Sequence, residues 1–263
     1  MWVAPDGTAP PGATSQPERG EAGTGRRDTV LRSAAHGPLP GFLLALTVIT
    51  GAVDAVSILS LGRVFVANMT GNVVFAGFAV VGVPGFALGS SLLALAGFLV
   101  GAAVGGWLAA HFHTDRAVLL LAMCVPEAAL AAASLVIAVS VPNLTAAGGR
   151  YSVSVLLATA MGIQNAVVRR LAVPDLTTTV LTMTLTGIAA DVRDGGWRKP
   201  PLRRRGLAVA AMAGGAVAGA ELVLHRGPRA DLVLVTAVLA VITIGAGSTK
   251  VRDHGNWRRA AST

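Results

Sequence analysis

Three acidic side chains lie inside strongly apolar runs, where an acid needs a reason. Asp54 follows Thr47 and Thr50 at helical spacing, Glu127 stands directly after Pro126, and Glu221 precedes His225 by four residues. A charge at the centre of a bilayer costs about 2.5–3.5 kcal/mol on insertion scales. A carboxyl group that faces a cavity can exchange a proton or hold a cation, and Asp54 is read in that way. The competing reading ties it to Arg63 or to polar groups of a neighbouring helix. At Glu127 the proline frees a backbone carbonyl one turn earlier, which places a protonatable group beside a flexible break. The alternative there is a neutral, hydrogen-bonded Glu that tolerates a kink. Glu221 reads as an interfacial partner of His225 and Arg226.

Amides and hydroxyls form a second set. Asn68 and Asn72 lie one helical turn apart with Thr70 and Gly71 between them, and Gln164 and Asn165 are their counterparts later in the chain. Thr179 and Thr182 belong to a run that also holds Thr177, Thr178, Thr184 and Thr186. Such uncharged groups hydrogen-bond a polar solute in an otherwise apolar pocket. Alternatively they hold helices together, at about 0.6 kcal/mol for each bond. Enzyme chemistry finds no support: no nucleophile–base pair, phosphate-binding glycine loop or H-E-x-x-H motif occurs. His111 and His113, two apart, do not share a helix face, and Cys124 is a lone apolar-run cysteine. The expectation is no metal and no cofactor.

The elements that must position these residues follow from composition. The chain has 263 residues, 53% apolar and 13% charged, against about 25% charged in soluble domains. The net charge of +8 does not mark a nucleic-acid binder, because the basic residues sit in tails and between apolar runs. The expected fold class is all-α, a polytopic integral membrane helical bundle, with the lipid bilayer as its principal partner. A span needs about 20 mostly apolar residues. Eight runs qualify as candidates: 39–61, 64–84, 88–110, 117–141, 151–170, 175–191, 206–224 and 230–248. Two are weak, 64–84 because of its Asn, Thr and Gly residues and 175–191 because it is short and Thr-rich. Eight spans are preferred on the length of 64–84, and six remain if the weak segments are re-entrant. In both cases most Lys and Arg fall on the side of the termini, which the positive-inside rule places in the cytoplasm. The expected location is the cell membrane.

Unlike features recur in one order at a spacing of 111–114 residues. Gly51-Ala52-Val53-Asp54-Ala55 echoes Gly162-Ile163-Gln164-Asn165-Ala166, and a basic turn and a weak span follow each. The series Gly97, Gly101, Gly105 then echoes Gly215, Gly219. The organisation read from this is a disordered cytoplasmic tail at 1–38, membrane repeats at 39–141 and 151–248, and a basic cytoplasmic tail at 249–263.

The run from Gly51-Ala-Val-Asp54-Ala to Phe65-Val-Ala-Asn68-Met69-Thr70-Gly71-Asn72 resembles the signature of the YoaK-like bacterial membrane proteins. So does Gly162-Ile-Gln164-Asn165-Ala166 with Thr178-Thr179-Val180-Leu181-Thr182. The likeness covers about residues 39–248. It implies a multi-span inner-membrane protein and no established activity, with Asp54, Phe65, Asn68, Thr70, Gly71, Asn72, Gln164, Asn165, Thr179 and Thr182 as the motif residues. The functional expectation is a secondary transporter of a small polar solute, coupled to protons through Asp54 and Glu127, with duplicated halves meeting near the midplane. The rival expectation is a non-transporting scaffold, sensor or partner subunit. A homo-oligomer is compatible with either.

Overall fold

The computed structural model describes residues 36–144, 147–173, 181–191, 200–252 and 256–258. Its elements are α1 (Leu39–Ser60), α2 (Met69–Val80), α3 (Leu88–His111), α4 (Arg116–Ser140), α5 (Ala147–Leu171), α6 (Leu181–Asp191), α7 (Pro200–Arg226) and α8 (Pro228–Arg252). A 3-10 turn, Asn256–Arg258, follows. No strand occurs among the described residues. The protein is an all-α, multi-pass membrane bundle.

Six helices (α1, α3, α4, α5, α7 and α8) are long and apolar enough to cross a bilayer. The two weak segments became short helices of 12 and 11 residues. At 1.5 Å per residue, 12 residues span about 18 Å, well short of a hydrocarbon core of about 30 Å. The helix lengths therefore match the six-span alternative rather than the preferred eight. The reason lies at residues 61–68, where Gly62 (φ 93°) and Arg63 (φ 55°) take left-handed conformations. The chain turns there and does not become helical again until Met69. A left-handed residue ends an α-helix because its carbonyl no longer points along the axis. The run 64–84 is long enough to cross only if all of it is helical. In the second weak segment, 174–180 lies outside the described residues.

Helices α1 and α5 are central. In each, 61% of the apolar span is buried in protein, against 17–33% for the other four. Large apolar side chains such as Leu99, Val136, Val217, Val241 and Ile244 point outward, as lipid-facing residues should. The tightest pairings are α3 with α5 and α1 with α7. Helix α4 packs on α5 and α8, α8 also on α1, α2 on α3, and α6 on α7.

Glycine sets the two tight pairings. Gly97, Gly101 and Gly105 on α3 lie against the backbone of Val155, Thr159 and Ile163, while Gly162 on α5 meets Phe98 and Ala102. Gly215 and Gly219 on α7 lie against Val48 and Ala52, and Gly51 on α1 meets Met212 and Ala216. Lipid tails are as apolar as Leu, so burial alone does not drive helices together. Dispersion over closely approaching backbones does, and only small residues permit the approach.

Two polar clamps hold the helix ends. Arg229 donates from Nε to the Ala138 carbonyl at 2.8 Å and from Nη2 to that of Val141 at 2.9 Å. A cation thereby meets the last carbonyls of α4, at the negative end of the helix dipole. At the other end of α4, Asp115 accepts from the backbone N–H of Ala117 at 2.8 Å and of Val118 at 3.2 Å. It also pairs with Arg258 of the 3-10 turn. Burial would raise the Asp115 carboxyl, but the Arg258 hydrogen bond, the two backbone N–H groups and the Arg258 charge together hold it below the ordinary value.

The sign of the pH effect follows. A depressed carboxyl contributes stability above its unfolded value, near 3.9, and that contribution disappears as pH falls through the lowered folded value. Asp115→Ala should cost about 1 kcal/mol at pH 7 as a lost N-cap, with less than that from the partly exposed ion pair. Thermal melts of both proteins should show the deficit shrinking below about pH 4. A deficit constant from pH 7 to pH 3 would show that the Arg258 pair contributes nothing.

Candidate functional site

Asp54 projects from the last third of α1 and is 7% exposed. Its carboxylate faces the backbone N–H groups of Ala67 and Val66, and its Oδ1 has no partner. The non-helical stretch after Gly62 therefore folds back along α1 and presents peptide donors to the acid. The proposed structural tie to Arg63 is not made: Arg63 is exposed and reaches toward Gly85.

Asn72 holds that stretch in place. Its Oδ1 accepts from Phe65 N at 2.9 Å, and its Nδ2 donates to Phe65 O at 2.6 Å and to Met69 Sδ at 3.5 Å. One amide thus satisfies both main-chain polar groups of a residue that no helix serves. Each of those groups would cost about 1–3 kcal/mol if buried unpaired. Gly71 is needed beside it, because a Cβ there would lie 2.4 Å from the Phe65 ring. The Phe65 ring stacks on Phe75 at 5.6 Å, and Phe75 meets Phe86 at 4.9 Å, so an aromatic cluster packs beside this segment. Asn72 and Gly71 therefore act as scaffolding for the segment that faces Asp54.

One turn earlier on α1, Thr50 donates to Leu46 O at 3.0 Å and accepts from Gln164 Nε2 at 3.1 Å. This bond links the two central helices, which otherwise touch little. Gln164 Oε1 is buried without a partner. Asn165 donates to Met161 O at 2.8 Å within its own helix.

Other expected site residues lie apart. Asn68, the N-cap residue of α2, and Thr70 are exposed, whereas Asn72 is buried. Thr182 is exposed on α6, and its carbonyl accepts from Thr186 Oγ1 at 2.9 Å. The threonine of α6 that faces protein is Thr184. Thr179 lies outside the described residues.

Glu127 is fully buried in α4, which runs continuously through Pro126, and neither carboxyl oxygen has a partner. Close by in sequence, the Cys124 carbonyl accepts from Thr243 Oγ1 of α8 at 3.3 Å. Glu221 meets His225 Nε2 at 3.3 Å, both side chains being exposed, so the two are paired as their spacing suggests.

Sequence reasoning missed Asp231. It is fully buried in the first turn of α8, with both carboxyl oxygens unpartnered. A Cβ on Gly219 of α7 would come within 2.8 Å of its Oδ1. The signal that hid it is ordinary: an acid in a first helical turn suits the helix dipole and normally faces water. Gly219 could have pointed to it, since a glycine so near the end of α7 lets the next helix bring a side chain close.

Chemically, the arrangement offers three buried carboxyl groups, on α1, α4 and α8, each with at least one oxygen open to a proton, a cation or a donor group. Among the described residues no group of three His, Cys, Asp or Glu side chains could hold a metal ion.

The family model described as "Protein of unknown function (DUF1275)" matches residues 42–245, from the first turn of α1 well into α8. The chain is 33% identical to the "UPF0700 transmembrane protein YoaK" of Bacillus subtilis (strain 168) over 152 residues. That match covers 57% of this chain and 66% of the relative, just under two thirds of its length. No solved structure matches. With its polar motif residues set into an all-helical, multi-pass membrane bundle and the family model spanning nearly the whole of it, the chain belongs to the DUF1275 family of YoaK-like membrane proteins, a family of unknown function.

Proposed function

We propose that the protein is a secondary transporter of a small polar solute, coupled to protons through Asp54, with Glu127 as a further protonation site. The observation that carries this reading is the setting of Asp54. It is a buried acid with one free oxygen, held against the backbone of an interrupted segment at a central helix. Discontinuous helices at the depth of a buried acid are how many carriers build a site in lipid, because irregular backbone is tolerated there only where protein or a cavity surrounds it.

Topology adds support. Helix α2 follows one long helix and α6 follows four. With all six long helices crossing, the two short helices enter from opposite faces. The pairing of α1 with α7 and of α5 with α3 is what two inverted halves exchanging their first and third elements would give. Such halves would rock about the α1–α5 crossing, where Thr50 and Gln164 meet, and expose Asp54 to each side in turn. The distribution of Arg and Lys would place both termini in the cytoplasm of the cell.

The test is purified protein in proteoliposomes with a trapped pH dye, an imposed pH gradient and a panel of uncharged polar solutes. Wild type should move protons with at least one solute, and Asp54→Asn should abolish the coupled proton movement. Unchanged pH dependence in Asp54→Asn would remove Asp54 from the coupling role. A panel in which nothing moves would favour the second reading, a non-transporting membrane component. The observation behind that reading is that the Asn72 amide is fully engaged by the chain's own backbone.

A further inference from the structure

A basic cluster lies where α1, α4 and α7 begin, away from the buried acids. His36 stands just before α1, and Arg116 and Arg204 lie close enough to act on its ring by charge. Burial first, and then those two cations, hold His36 below its ordinary value. The Trp257 ring packs on Gly37, where a Cβ would come within 2.7 Å of three ring atoms. The neighbouring Arg258 pairs with Asp115, the acid directly before Arg116.

Three hydrogen-bonding nitrogens in this cluster are buried without a partner: His36 Nδ1, Arg204 Nε and Trp257 Nε1. Trp257 is only 6% exposed, and indole N–H can only donate. A buried donor without an acceptor loses its bond to water and gains nothing in return. Several together, beside the Arg116 and Arg204 cations, ask for an anion with several oxygens. A phosphate has that shape and charge, and basic pockets between transmembrane helices at a membrane face suit lipid phosphates.

We propose that this cluster, formed by Arg116, Arg204, His36 and Trp257, binds a phosphate group, either of an anionic phospholipid headgroup or of a soluble phosphate. Arg116 and Arg204 supply the charge, and the Trp257 N–H and the His36 ring orient the oxygens. The site does not depend on transport and would stand if the carrier reading failed.

The test uses full-length protein in detergent, titrated with phosphatidylglycerol, phosphatidylcholine or inorganic phosphate, with the thermal midpoint giving an apparent Kd. Wild type should be stabilised by phosphatidylglycerol and not by phosphatidylcholine. The Arg116→Gln/Arg204→Gln pair should weaken binding about a hundredfold or more, since it removes two charge-assisted bonds at once. Trp257→Phe keeps the ring on Gly37 and removes only the donor, so it should weaken binding several-fold with the fold intact. Inorganic phosphate that stabilises and competes would assign the site to a soluble anion; phosphate without effect would assign it to the headgroup. Wild type indifferent to both phosphatidylglycerol and phosphate, or Trp257→Phe and the Arg pair binding as wild type does, would overturn the proposal.

Discussion

Gly101→Ala should be among the most damaging single-methyl changes in this protein, lowering stability by about 3 kcal/mol or more and the thermal midpoint by about 10 °C. The added Cβ would sit 2.0 Å from the Thr159 carbonyl oxygen and within 3 Å of that residue's C and Cα. All three are backbone atoms of α5, so no rotamer change relieves the clash and the helices themselves must separate. Overpacking ordinarily costs about 1–3 kcal/mol when side chains can yield; here they cannot. Gly106 on the same helix is the control, because its added Cβ would meet nothing within 4 Å. Gly106→Ala should be neutral or stabilising by up to about 1 kcal/mol, the ordinary gain in helix propensity. Gly215→Ala should resemble Gly101→Ala, since its Cβ would lie 2.0 Å from the Val48 carbonyl oxygen. Melting curves in detergent followed by circular dichroism would decide. Equal midpoints for the Gly101 and Gly106 variants would mean that α3 and α5 are not in backbone contact.

The second large effect has the opposite sign. Glu127→Met should stabilise the protein by about 1–3 kcal/mol, because it removes a buried polar group that has no hydrogen-bond partner and keeps a similar volume. Glu127→Gln should gain nothing, since the amide carries the same unmet demand. A protein that retains such a group against its own stability commonly does so at a functional site, so the stabilised Met variant is also expected to lose proton coupling in the proteoliposome assay. A lower midpoint for Glu127→Met would show that the carboxyl has a partner after all and is part of the packing. Higher stability with coupling intact would leave the buried acid without a role in transport.

Much of the architecture was legible in the chain itself. Apolar runs of span length, few charges, and basic residues confined to tails and turns leave a helical membrane bundle as the only class in which backbone groups are satisfied in lipid. The motif around Asp54, Asn68, Thr70 and Asn72 pointed to the right family, and the i, i+4 spacing of Glu221 and His225 foretold their contact because that distance is built into any helix. The number of spans was not legible. It turned on whether residues 61–68 stay helical, and Asn72 and Phe65 settle that by an exchange of hydrogen bonds seven residues apart.

The separate fates of Asn68 and Asn72 were also hidden, although one turn apart they share a helix face. Asn68 is the N-cap residue of α2, with extended backbone, so helical spacing does not carry its side chain toward Asn72. Asp231 was hidden by looking like a capping acid. What the amino-acid sequence determines by itself here is that the chain is helical and lives in lipid, since both follow from local composition and length. Which helix meets which, and which polar side chain turns inward, came only with the tertiary structure. In a bilayer the protein interior and its surroundings are equally apolar, so hydrophobicity along the chain does not mark the buried face.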